Sequence, residues 1–172
     1  MSAVTEEEAT ALADLARGKN VLEMGAWEGF STIVLASVAD RVTSVDWHRG
    51  DDHAGHYDTW PRFLQNLGTY GVADRVTVAH CRFEDELPRL AADGVMFDGC
   101  FLDAQHDSQS VARDVRLALP VIRPGGFFAF HDYGRGDATG NPGFAVTEVA
   151  DALVGITGRA GFLGWGFTPD AD

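Results

Sequence analysis

Four acidic residues in this chain follow apolar runs: Glu23 after Val21-Leu22, Asp46 after Val42-Thr43-Ser44-Val45, Asp103 after Phe101-Leu102, and Asp132 after Phe127 to Phe130 with His131 between. One carboxylate at such a position is commonly a helix cap or a loop residue. Four of them, each at the end of a different strand, converge on one crevice, because open parallel sheets bind ligands outside the carboxyl ends of their strands. A crevice lined this way suits cationic ligands, hydroxyl recognition and proton transfer.

The first of these ends carries a glycine turn, Glu23-Met24-Gly25-Ala26-Trp27-Glu28-Gly29-Phe30-Ser31-Thr32. A dinucleotide loop reads G-x-G-x-x-G, and counted from Gly25 it needs glycine where Trp27 and Phe30 stand. Trp27 blocks the close backbone approach of a pyrophosphate. The loop also lacks Lys and Arg, and Glu23 and Glu28 repel phosphate. A nucleoside carrying an ammonium and a sulfonium fits better, and S-adenosylmethionine is such a ligand. Asp46 lies about 20 residues beyond the turn, where an acid accepts hydrogen bonds from ribose hydroxyls. Cys81-Arg82-Phe83-Glu84-Asp85 reaches the same crevice from the adenine side, with Phe83 reading equally well as a base contact or as core.

A second centre comes from Asp103-Ala104-Gln105-His106 and His131-Asp132-Tyr133. Asp103 and Asp132 end neighbouring strands, and with His131 they form a donor set for a divalent cation, Mg²⁺ or Mn²⁺, with open positions. Such a metal holds a substrate hydroxyl and lowers its pKa. His106, three residues beyond Asp103, is placed to take the proton. The plainer reading pairs Asp103 with His106 at a helix start and leaves His131 in the core; the residues alone support both. His48, His53 and His56 with Asp51, Asp52 and Asp58 have the residue types for a metal site but read better as a solvated loop over the cofactor. Trp27, Trp47, Trp60 and Tyr57 fit either an apolar wall beside it or ordinary core.

The elements that must carry these residues alternate along the chain. The pattern predicts an α/β, Rossmann-like, doubly wound and mostly parallel sheet of about seven strands, the last antiparallel, with helices on both faces. Expected helices cover 5–17, 31–38, 59–70, 84–92, 107 to near 123, and 144–154; expected strands cover 21–24, 41–45, 75–80, 97–102 and 127–130, with one or two closing strands in 156–167. The 172 residues fit one domain spanning 1–172, and 45% hydrophobic residues suffice for a core. A net charge of −13 argues against nucleic acid and against an anionic membrane surface. With neither a signal peptide nor an apolar run long enough to span a bilayer, the expected place is the cytoplasm, with Cys81 and Cys100 reduced. Apolar Phe162, Leu163, Trp165 and Phe167 fit either a closing strand or the edge of a homo-oligomer.

On these motifs the chain resembles the class I S-adenosylmethionine-dependent methyltransferases over nearly its whole length. Glu23-x-Gly25-x-x-x-Gly29 is similar to their first motif, and Asp46 to their ribose-binding acid. Asp103…His106…Asp114 and Pro124-Gly125-Gly126…His131-Asp132-Tyr133 resemble methyltransferase family 24, itself similar to the metal-dependent catechol- and caffeoyl-coenzyme A-type O-methyltransferases. The resemblance implies cofactor contacts from Glu23, Gly25, Ala26, Trp27, Gly29, Ser31, Asp46, Trp47, Arg82, Phe83 and Asp103. It implies metal ligands at Asp103, His131 and Asp132, and catalytic roles for Asp103 and for His106, which stands where that group has a lysine. The function it implies is O-methylation of a small-molecule acceptor such as a sugar, phenol or natural product. Rival readings are an S-adenosylmethionine-binding module without transferase activity and a metal-dependent hydroxylase on the same scaffold. A nicotinamide-dependent dehydrogenase ranks last because of Trp27 and Phe30.

Overall fold

A computed structural model describes residues 4–50, 55–140 and 143–170. In chain order it runs α1 (Glu6–Ala16), β1 (Asn20–Met24), α2 (Phe30–Val38), β2 (Arg41–Val45), α3 (Trp60–Thr69), β3 (Val76–Ala79), α4 (Phe83–Ala92), β4 (Phe97–Leu102), α5 (Ser108–Ala118), β5 (Ile122–Phe130), α6 (Arg135–Thr139), α7 (Val146–Leu153), β6 (Ile156–Ala160) and β7 (Leu163–Phe167). The strands form a seven-stranded sheet in the order β3-β2-β1-β4-β5-β7-β6. β1 to β5 run parallel, and β7 pairs antiparallel with both β5 and β6.

The central parallel strands β1 and β4 are buried on both faces, as their apolar runs require, while β3 at the sheet edge is only half-buried. One face packs Leu12, Leu35, Phe63 and Phe101 under α1, α2 and α3. The other packs Leu87, Val115, Phe128 and Ala150 under α4, α5 and α7. α1 begins with the expected capping box, in which Thr5 Oγ1 accepts from Glu8 N at 3.3 Å and Glu8 Oε2 accepts from Thr5 N at 2.7 Å. Asp107 caps α5 through Gln109 N and Ser110 N.

Register is what positions the site. Met24 is level with Val45 and Leu102, and Leu102 is level with Phe130. One further rung sets Gly25, Asp46, Asp103 and His131 in a row. It is closed by Gly25 N to Val45 O at 3.0 Å, Asp103 N to Met24 O at 3.0 Å and His131 N to Leu102 O at 3.1 Å.

Some boundaries differ from expectation. The helix expected to run to about residue 123 stops at Ala118, because Pro120 cannot continue it, and a 3-10 turn (Leu119–Val121) leads straight into β5. α6 was not expected, since its flanking Gly134 and Gly140 read as loop. The closing segment resolves into two strands. No helix among the described residues is long and apolar enough to cross a membrane.

Candidate functional site

The loop after β1 is shaped by backbone approach. Gly25 has φ +91°, and a Cβ there would sit 2.0 Å from the carbonyl oxygen of Asp103. Only glycine lets the backbones that follow β1 and β4 approach this closely. Gly29, with φ +89°, opens α2, and a Cβ on it would meet the Phe63 ring at 2.9 Å. Asp46 braces the turn from β2. Its Oδ2 accepts from Ala26 N at 2.7 Å and Trp27 N at 2.9 Å, and its Oδ1 from His48 N at 2.6 Å.

Glu23 turns away from the crevice. It is fully buried and accepts from the hydroxyls of Ser31 (2.7 Å), Thr32 (2.6 Å) and Ser44 (2.7 Å), tying β1 to α2 and β2. Burial lifts its pKa to about 7 against those three donors. Expected as a cofactor contact, Glu23 lines neither of the main cavities described next.

Two cavities meet over Gly25. The larger, about 340 Å³, runs across the ends of β1, β2, β3 and β4 past Asp46, Trp47, Arg82, Phe83 and Ala104. The smaller, about 280 Å³, lies toward α2 and α3, against Val4, Trp27, Glu28, Ser31 and Tyr70. Gly25, Trp27 and Asp103 belong to both. Arg82 lies over the Trp47 ring at 4.6 Å, and Phe83 both lines the larger cavity and packs on the core. Trp27, Trp47 and Tyr57 are exposed along the cleft, whereas Trp60 stacks on His80 at 4.3 Å.

The loop after β2 is less solvated than expected. His48 is 1% exposed, packs 4.7 Å from Phe63 and pairs through Nδ1 with Thr59 Oγ1 at 2.9 Å. Burial keeps its pKa low. His56 and Asp58 are exposed, and Asp51, Asp52 and His53 lie outside the described residues.

Asp103, His131 and Asp132 come together at the ends of β4 and β5, each offering a ligand atom within 4.8 Å of the others. His131 Nδ1 stands 3.4 Å from Asp103 Oδ1 and 3.5 Å from Asp132 Oδ2. Those spacings are ion pairs rather than closed hydrogen bonds, and both ring nitrogens of this buried histidine lack a hydrogen-bond partner among the described residues. Burial disfavours its charge, but Asp103 and Asp132 outweigh that and push its pKa up to about 10. Asp132 is 6% exposed with φ +60°. Its Oδ2 meets His106 Nε2 at 2.7 Å, and its Oδ1 meets Arg135 Nε at 2.5 Å. Burial resists its charge, yet His106 and His131 hold its carboxyl well below the usual range. His106 thus pairs with Asp132 and not with Asp103, because the turn after β5 swings Asp132 across the end of β4.

Sequence reasoning missed Glu8 and Arg135. Glu8 is 1% exposed and its Oε2 lies 3.6 Å from His131 Nε2. The capping-box spacing marked Glu8 as a helix residue, and nothing local showed what lay across from it. Asp114, quoted in the family resemblance, is buried and bonded to its neighbour Arg113 at 2.8 Å, which in turn reaches Glu84 at 3.2 Å. Burial raises its pKa to about 6.

Residues 22–133 match a family described as a methyltransferase domain, type 24. Over 145 residues the chain is 32% identical to the catechol O-methyltransferase of Mycobacterium tuberculosis, covering 83% of this chain and 59% of that protein. The chain therefore spans about three fifths of the length of this curated relative. Among solved structures it is similar to the O-methyltransferase TomG from Streptomyces achromogenes, involved in tomaymycin synthesis and crystallised with S-adenosylmethionine. That likeness has TM-score 0.76 and 26% identity, over 96% of this chain and 82% of TomG. It is equally similar to the cofactor-bound protein Rv0187 from MTB, with TM-score 0.76 and 25% identity over 98% of this chain and 83% of the other. A sheet of this order, a Gly25 turn braced by Asp46 and a match covering most of the chain lead to one conclusion: the protein belongs to the methyltransferase-domain family.

Proposed function

We propose that residues 1–172 act as one domain that transfers a methyl group from S-adenosylmethionine to a hydroxyl of a small-molecule acceptor. The observation that carries this reading is the position of Asp103, which lines both cavities and belongs to the cluster with His131 and Asp132. The nucleoside occupies the larger cavity with its ribose at Asp46, and the amino-acid tail occupies the smaller one, where Glu28 and Asp103 favour its ammonium. The sulfonium then lies beside Asp103. The relatives support a hydroxyl acceptor, since one is named for catechol and another serves tomaymycin synthesis.

Asp103, Asp132 and His131 would hold a divalent cation, Mg²⁺ or Mn²⁺. The fit rests on the unpartnered Nδ1 of His131 facing two carboxylates whose charge balances such an ion. When bound, the ion supplies Lewis acidity that lowers the pKa of the acceptor hydroxyl. His106, partly exposed and braced by Asp132, takes the hydroxyl proton on an imidazole nitrogen. The acceptor oxygen bonds to the methyl carbon as the carbon–sulfur bond breaks, leaving the neutral thioether S-adenosylhomocysteine. The donor is already activated, so positioning supplies most of the acceleration.

In Asp132→Ala, calorimetry should give S-adenosylhomocysteine binding within about threefold of the parent, with turnover of a catechol or sugar acceptor lowered about 100-fold or more. Full activity of that variant in chelator would sink the metal reading. A metal-free reading has its own support, because Arg135 and His106 already partner Asp132. It requires a parent enzyme indifferent to chelator.

A further inference from the structure

Glu8 has more partners than a helix cap needs. Its Oε2 accepts from Thr5 N at 2.7 Å, closing the capping box. Its Oε1 accepts from Phe162 N at 2.6 Å, a contact between the first helix and the turn joining β6 to β7. A capping carboxylate ordinarily faces water, but this one is 1% exposed, and burial of a charge is costly without compensation. The remaining group facing it is His131 Nε2, 3.6 Å away on a side chain that is itself 1% exposed. The space is also kept for it: a Cβ on Gly161 would stand 2.6 Å from Glu8 Oε1.

We infer that Glu8 is the positioning residue for His131: its buried carboxylate, 3.6 Å from Nε2, orients the ring so that Nδ1 faces Asp103 and Asp132. Carboxylates flank the ring on both sides, Glu8 at Nε2 and the Asp103–Asp132 pair at Nδ1. A ligating imidazole is normally oriented by a carboxylate or carbonyl at its second nitrogen, which fixes tautomer and ring plane. Glu8 supplies that carboxylate from the far end of the sequence. The consequence for metal uptake rests on the reading given under Proposed function; the orientation of the ring does not.

Long-range proton–nitrogen spectra of His131 test the orientation in the metal-free protein. The parent should show a slowly exchanging proton on Nε2, and Glu8→Gln should lose that protection. The same Nε2 signal and protection in Glu8→Gln would overturn the inference, leaving Glu8 a cap alone. Thr5→Ala separates the two roles: it should lower Tm through loss of the cap yet leave the His131 spectrum unchanged. Loss of the Nε2 signal in Thr5→Ala would also overturn it. Mn²⁺ titration then adds the functional reading, with Glu8→Gln binding about 10- to 100-fold more weakly than the parent and Thr5→Ala binding like the parent. A parent that takes up no Mn²⁺ refutes the metal site, while the spectra still decide the role of Glu8.

Discussion

The acids at the ends of β1 and β2 and those at the ends of β4 and β5 follow the same sequence rule but are used in opposite ways. Glu23 accepts from three hydroxyls and Asp46 from three backbone N–H groups. Every partner is a neutral donor of the protein's own frame, so these carboxylates hold chain to chain. Asp103 and Asp132 instead face histidine and arginine side chains, with Asp132 Oδ1 and both His131 nitrogens lacking a hydrogen bond among the described residues. Neutral donors fix a shape, whereas ion pairs with unmet valence leave charge to be spent on something that arrives.

The two regions touch at Gly25 and Asp103, and the largest effect is expected there. Gly25→Ala forces a Cβ to 2.0 Å from the Asp103 carbonyl at φ +91°, and should cost at least about 3 kcal/mol in urea unfolding and abolish S-adenosylhomocysteine binding. A stable, binding-competent Gly25→Ala protein would break the comparison, since the regions would then not share a backbone contact.

A middle-sized effect distinguishes the scaffolding acid. The folded pKa of Glu23, about 7, lies above its ordinary 4.5, so the neutral acid suits the site better than the carboxylate. The stability it contributes is complete below pH 4.5 and is lost as the pH rises through about 7. Glu23→Gln, neutral throughout, should remove about 3 kcal/mol of that pH dependence while cofactor affinity stays as in the parent. An unchanged pH profile would show that Glu23 is not held as described.

The smallest effect sharpens the other side. Arg135→Gln frees Asp132 from one partly exposed cation, and should tighten Mn²⁺ about two- to fivefold with no change in Tm beyond about 2 °C. Weaker uptake would mean that Arg135 supports the site instead of competing for it.

Much of the frame was legible because strands, glycines and acids obey local rules. Apolar runs ended where the sheet ends, and Gly25 with Asp46 stood at the turn that register later aligned. The direction in which a side chain leaves its strand was not legible. Glu23 looked like a crevice acid until Ser31, Thr32 and Ser44 were seen beneath it, and those hydroxyls come from two separate elements, α2 and β2. His106 was expected near Asp103 by spacing, but it bonds Asp132, since a strand-end turn can carry a side chain across its neighbour. Glu8 illustrates the limit most sharply: its decisive partners lie at Phe162 and His131, and no short pattern encodes contacts so distant along the chain.

Outside glycine, the described residues adopt positive φ at Trp27, His48 and Asp132, and each follows the carboxyl end of a strand at the rim of the crevice. Each such residue carries about 1–2 kcal/mol that glycine would not. Replacement of these side chains by glycine is therefore favoured by the backbone even as it empties the rim. A lineage released from selection for turnover would drift to glycine first at exposed Trp27, whereas the packing of His48 and the ion pairs of Asp132 hold those two residues against the same backbone preference.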